Sequence, residues 1–240
     1  MQSLAAVADR SSGLVGTAPG MRVVIAGGHG QIARRLGRLL SAWGDTTVGI
    51  VRNPDHRADL EADGMEAAVL DLEQASADDV AAVVSGADAV VFAAGAGPGS
   101  GAERKHTVDY GAAVLLAHAA ERAGVRPYLL ISAMGVQQAR QGTPRGMDPV
   151  FAAYLQAKLR AEDEILPHPA LDTTIVRPGR LTDDPGTGRV TLGHGLEYGD
   201  VPRDDVAGVL AEFLHAGKTD EVVELVGGDT PIAEAVAALP

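Results

Sequence analysis

From Met21 onward, short blocks of consecutive apolar residues alternate with stretches whose apolar residues recur every three or four positions. The first pattern marks buried strands and the second marks helices with one buried face. Val23, Val24 and Ile25 open the series, and Ile32 to Leu40 follows as an amphipathic helix. Thr46 to Val51 reads as a second strand, with a short polar helix near Asp55 to Ala62. Glu66 to Leu70 is a third strand, and Ser76 is a natural N-cap for a helix through Val84. Asp88 to Ala94 is the fourth strand. Glu103 to Ala123 makes a long helix closed by Gly124 at the C′ position. Tyr128 to Ser132, the helical stretch Pro149 to Leu166, and Thr173 to Val176 complete six strands. Strands that are apolar throughout, separated by helices, predict a parallel sheet covered on both faces. The fold class is therefore α/β: a single doubly wound domain, with a mainly parallel sheet and small C-terminal elements on the substrate side.

After Arg177 the pattern loosens. A short strand over Arg189 to Leu192, a helix from Asp204 to His215 and a strand from Val222 to Val226 remain legible. Thr230 and Pro231 are read as the N-cap and first residue of a last helix. Residues 136 to 149 carry two prolines and read as a loop. Residues 1–20 lack a period and read as a flexible extension, leaving 21–240 as the folded unit.

Composition narrows the function classes. The chain has 240 residues, of which 46% are hydrophobic and 22% charged, the balance of a globular enzyme. A net charge of -12 disfavours nucleic acid and anionic membrane as partners. The absence of cysteine removes disulfides, thiolate nucleophiles and cysteine metal sites. The histidines form no HExxH pattern, so no metal is expected, and no Gly-x-Ser-x-Gly elbow marks a serine hydrolase. The expectation is a cytoplasmic protein with a small-molecule substrate, either monomer or homodimer.

Candidate chemistry begins where the first strand meets the first helix. Gly27, Gly28 and Gly30 make a tight turn there, with Ala33 as a small third residue. Glycines let a phosphate approach the backbone, and the helix N-terminus offers free N–H groups and a positive dipole end. Gly27, Gly28, His29, Gly30, Gln31 and Ile32 are therefore the candidate diphosphate-binding residues, His29 through its backbone. A tight turn without a ligand would use the same glycines. The second strand ends at Arg52, with no acid at that edge to bind a ribose hydroxyl pair. An arginine there offers a fork to a 2′-phosphate, which selects NADP over NAD; otherwise it is a solvated surface residue. Arg34 and Arg35 either add positive potential or face water. Asp71, at the end of the third strand, could accept from an adenine amino group or serve the turn.

A second feature is Tyr154 and Lys158, four residues apart on one helix face. A nearby ammonium stabilises a phenolate and would lower the tyrosine pKa toward a useful range for proton transfer. A core tyrosine with a snorkelling lysine is the alternative. Ser132 ends the fifth strand, on the carboxyl edge where open sheets bind ligands, and could hold a carbonyl opposite Tyr154.

Together these residues resemble the short-chain dehydrogenase/reductase superfamily, in its atypical NAD(P)H-binding, NmrA-like branch of Rossmann-fold proteins. The likeness covers about residues 21–230. It rests on GGHGQIA at 27–33, Val51-Arg52-Asn53-Pro54, Asp71-Leu72, ADAVVFAAG at 87–95, SAMG at 132–135, Tyr154-xxx-Lys158, VRPG at 176–179 and PRDDVA at 202–207. It implies that Asp71 and Leu72 border the adenine and that Ala93, Ala94 and Gly95 pass beneath its ribose. Lys158 would bind the nicotinamide ribose, and Pro178 and Gly179 would border the nicotinamide. Two departures stand out: the helix over 103–123 has no relay asparagine, and Ser132 and Tyr154 are 22 residues apart. The expected activity is NADP(H)-dependent reduction of a small carbonyl or other electrophile, with Ser132, Tyr154 and Lys158 as the catalytic set. The alternatives are a catalytically idle NADP(H) sensor and, less favoured for its short C-terminal third, an NAD-dependent sugar-nucleotide epimerase.

Overall fold

The computed structural model describes residues 20–97, 99–142 and 146–240; the extension read over 1–20 lies, but for Gly20, outside the described residues. β1 (Arg22–Ala26) is the centre of the sheet, because Val23, Val24, Ile25 and Ala26 are all fully buried and need cover on both faces. α1 (Gln31–Ala42) leads to β2 (Thr46–Val51), then through α2 (Arg57–Ala62) to β3 (Glu66–Val69) on one side of β1. α3 (Ala77–Val84), opened by a capping box between Ser76 and Asp79, returns the chain to β4 (Ala89–Phe92) on the other side of β1. The order continues through β5 (Pro127–Ile131) and β6 (Asp172–Pro178), all in parallel. β1 and β4 are therefore the neighbours at which the strand order reverses, and their carboxyl ends open a crevice.

The two faces hold separate cores. Val23 and Ile25 point with Leu36 and Leu40 of α1 toward Val209, Leu210 and Phe213 of a later helix, α7 (Arg203–Ala216). Val24 and Ala26 point the other way, with Val80, Leu116 and Ile165 from α3, α5 (Ala113–Ala123) and α6 (Pro149–Ile165). The six strands and their helices follow the sequence reading, with fraying at the ends. Ahead of α5, α4 (Ala102–Arg104) runs into a π-helical segment, Lys105–Ala112, which no sequence period announces.

Other departures lie in the C-terminal half. Residues 136–149, read as a loop, contain a 3₁₀ helix over Val136–Gln141. Gly135 turns the chain at φ +84, and the fully buried Val136 packs on Leu155 and Leu159 of α6. β7 (Arg180–Thr182) and β9 (Asp200–Pro202) form a separate parallel pair, each too short to show a pattern. β8 (Arg189–Gly193) and β10 (Val222–Gly227) extend the main sheet, β8 antiparallel. Thr230–Pro231 is a further short strand, β11, on the edge of β8, so Pro231, not Thr230, is the N-cap of α8 (Ile232–Ala237). A proline is tolerated there because an edge strand can spare an N–H. No helix among the described residues is long and apolar enough to cross a membrane.

Candidate cofactor cleft and active site

The glycine turn is fixed by close backbone approaches. Gly27 sits at φ +79, and a Cβ there would lie 2.6 Å from Ala94 Cα at the end of β4. A Cβ on Gly28 would lie 2.5 Å from Gly49 Cα of β2, and the Gly28 N–H donates to Ile50 O at 2.9 Å. Gly30 is the N-cap of α1, where a Cβ would press on Gly27 O at 3.0 Å. Having no side chain, Gly30 caps nothing, and the first turn of α1 holds no acid. The first helical bond runs from Arg34 N to Gly30 O. The N–H groups of Gln31, Ile32 and Ala33 thus lack partners within the helix, at its positive end. An uncapped, glycine-lined helix start next to the sheet's crevice fits a diphosphate.

A cleft of about 310 Å³ opens in front of this turn. Its walls bring together Gly27, His29, Gly30, Arg52, Asp71, Leu72, Ala93, Ala94 and Gly95 from the ends of four parallel strands. Gln31 and Ile32, the first residues of α1, are not among its lining residues and would meet a diphosphate only through their backbone N–H groups. Arg52 is exposed and donates to Glu73 Oε2 at 3.2 Å. Glu73 also accepts from Arg104 Nη2 at 2.9 Å and Thr107 Oγ1 at 2.7 Å, and these contacts hold its carboxyl below the usual glutamate range. Asp71 accepts from Glu73 N at 3.0 Å, so its carboxylate shapes the turn that presents Glu73. Arg34 pairs with Asp63 and lies 3.7 Å from Asp59, and Arg35 pairs with Asp204 at 2.8 Å and donates to Gln31 O at 3.0 Å, so both are engaged with protein acceptors. The rings of His29 and His56 stack with centroids 3.6 Å apart at the cleft's rim, and His29 Nε2 lies 2.7 Å from Asp59 Oδ2. Among the described residues, no group of three or more His, Cys, Asp or Glu is placed to hold a metal ion.

At the other end of the crevice, Ser132 follows β5 and is buried. Nothing among the described residues hydrogen-bonds its Oγ, an unsatisfied polar atom of the kind that calls for a ligand or water. Tyr154 and Lys158 do share a face of α6, with Lys158 Nζ 6.0 Å from the Tyr154 ring centroid. The charge relation is not the one the spacing suggests. Lys158 is buried and donates to Ile131 O at 2.9 Å, with Asp109 Oδ1 at 3.6 Å; desolvation lowers its pKa. Burial first, then the charge of Asp109, push the Tyr154 phenol well above the usual tyrosine range. The expected depression of the phenol pKa by Lys158 is thus replaced by a rise, because low-dielectric surroundings disfavour the phenolate. Pro178 and Gly179 close β6 away from the cleft walls. A Cβ on Gly179 would lie 2.1 Å from Gly199 O, so the glycine is required by the crossing of residues 179 and 199.

A model of the NAD(P)H-binding family matches residues 27–216, from the glycine turn to the end of α7. The chain belongs to that family. It is 36% identical over 221 residues to the sugar epimerase YhfK of Bacillus subtilis, itself uncharacterized, covering 91% of this chain and 100% of that one. Among solved structures, a Bacillus halodurans protein provisionally described as an NAD-dependent epimerase/dehydratase superposes with a TM-score of 0.83. It has 35% identity and covers 92% of this chain and 100% of its own. The oxidoreductase YlbE of Lactococcus lactis superposes with a TM-score of 0.78 at 26% identity, covering 91% and 96%.

Within this NAD(P)H-binding fold, two acids escaped the sequence reading. Asp109 is buried at 1% exposure on the π-helical segment, accepting from Ala96 N at 3.2 Å beside Lys158. Its only signal is an acid on the inward side of a long apolar helix, where an asparagine was sought. Glu73 follows Asp71 closely, but its three partners come from elements 21, 31 and 34 residues away.

Proposed function

We propose that the protein is an NADPH-dependent reductase of a small carbonyl or other electrophile. The observation that carries this reading is the Lys158 tie between α6 and the end of β5: its Nζ lies 6.0 Å from the Tyr154 ring centroid and donates to Ile131 O, next in the chain to the buried and unpartnered Ser132 Oγ. The turn at 27–33 binds the diphosphate, and Arg52 takes the 2′-phosphate with its planar fork. When bound, the nicotinamide supplies a hydride. Ser132 Oγ holds the substrate oxygen, and Tyr154 donates the proton to the alkoxide that develops there. A phenol with a raised pKa is fully protonated at neutral pH and is still a stronger acid than the alcohol formed. Lys158 serves by position: bonded to Ile131 O, it ties α6 to the end of β5 and so sets Tyr154 relative to Ser132.

Tyr154→Phe should reduce NADPH-dependent turnover by about a hundredfold or more while NADPH binding persists. Undiminished activity would overturn the assignment. Following NADPH absorbance against aldehydes, ketones and quinones separates the alternatives. Binding without oxidation of any of them is the behaviour of a sensor, which the engaged Lys158 ammonium favours. Co-purified NAD with no net oxidation is that of an epimerase, the activity named for two relatives.

A further inference from the structure

A second cavity, of about 290 Å³, lies beyond the cofactor cleft, between the segment after β4 and the start of α6. Gly97, Gly99 and Ser100 contribute to its lining, together with Val150, Phe151 and Tyr154. Phe151 is 49% exposed and stacks on Tyr154 with ring centroids 5.9 Å apart. The walls are thus mainly rings, an aliphatic side chain and glycine backbone, which suit a flat apolar body.

One cation interrupts this surface. Lys105, in the first turn of the π-helical segment, is nine-tenths buried. Its Nζ donates to Gly97 O at 2.9 Å and sits 5.5 Å from the Tyr154 ring centroid. Gly97 and Tyr154 are both walls of the cavity, so the ammonium lies at its surface. Among the described residues, no carboxylate comes within ion-pair distance of it, whereas the buried Lys158 has Asp109 at 3.6 Å. An ammonium has three donors, and one carbonyl uses one of them. Asp148 is the acid of the same cavity, but its Oδ1 accepts from Phe151 N at 2.8 Å as the N-cap of α6. A largely buried cation with spare donors at the wall of an open, ring-lined depression is a natural partner for an anion.

We propose that this cavity binds a small, flat, ring-containing ligand carrying a carboxylate, which Lys105 pairs while the Phe151 and Tyr154 rings cover its body. That the ligand is the substrate rests on the reductase reading; the anion site itself does not.

The test uses the full chain saturated with NADP and two probes of equal shape, 2-naphthoate and 2-naphthamide, titrated calorimetrically. The wild type binds the carboxylate about tenfold or more tighter than the amide. Lys105→Met brings the ratio of the two affinities close to one, and Lys105→Arg keeps it. Equal affinities in the wild type, or a preference that survives Lys105→Met, overturn the proposal; the wild-type comparison needs no variant to fold. In parallel, 6-formyl-2-naphthoate is offered with NADPH. Carboxylate preference without NADPH consumption leaves the anion site standing and counts against the reductase reading.

Discussion

Arg52 directly follows β2, with its guanidinium exposed and one N–H on Glu73, which also holds Arg104 and Thr107 at the cleft. A 2′-phosphate would offer Arg52 a better partner than a carboxylate already shared by two other donors. Arg52→Ala should therefore weaken NADPH binding by about tenfold or more, with little change for NADH, measured by titrating the nicotinamide fluorescence. Equal losses would remove the phosphate role. Glu73 also carries a pH signature. Its folded-state pKa is held below 4.5 by Thr107, Arg104 and Arg52, so its contribution is present above pH 4.5 and is lost as pH falls through the lower, folded value. The melting temperature of the wild type should fall more steeply below pH 4.5 than that of Glu73→Gln. Parallel acid limbs would show that the cluster adds nothing. Arg52 was legible from its place after a strand. Glu73 was not, because what matters about it is its three distant partners.

At the scale of elements, the π-helical segment Lys105–Ala112 shapes the surroundings of Tyr154 and Lys158. It turns Lys105, Val108, Asp109 and Ala112 inward against α6. Lys105 then lies over Tyr154, and Asp109 lies beside Lys158, so two i, i+4 pairs face each other across the helix contact. The sequence shows the pair on α6 because its spacing is that of an ordinary helix. The pair on the facing segment was passed over, because one extra residue per turn blurs the period and a lone acid on an apolar helix reads as a surface residue. Asp109→Ala leaves the Lys158 ammonium buried without an acid, and should destabilise the fold by about 3 kcal/mol or more in urea unfolding. Asp109→Asn, which retains an acceptor for Ala96 N, should cost less. If the two variants unfold alike, the charge of Asp109 is not what holds Lys158.

Over the whole molecule, the sheet divides the chain into two cores that share only its strands. Leu36 of α1 belongs to one face and Leu116 of α5 to the other, and both are fully buried. Leu36→Ala and Leu116→Ala should each cost about 2–5 kcal/mol. With the sheet between them and no shared neighbours, the double variant should show the sum to within about 0.5 kcal/mol. A large shortfall would mean that the faces relax together. The alternation of strand and helix, the buried strand at Val23–Ile25, the glycine turn and the Tyr154–Lys158 pair were set by the sequence alone. Each depends on residues a few positions apart, where steric limits and burial period act directly. The tertiary structure decided the rest. It placed Asp109 beside Lys158 and gathered Glu73 with Arg52 and Arg104. It also raised the Tyr154 pKa, through burial and the charge of Asp109, where the spacing to Lys158 predicted a fall. Burial and long-range approach belong to the packed chain, so no local pattern records them.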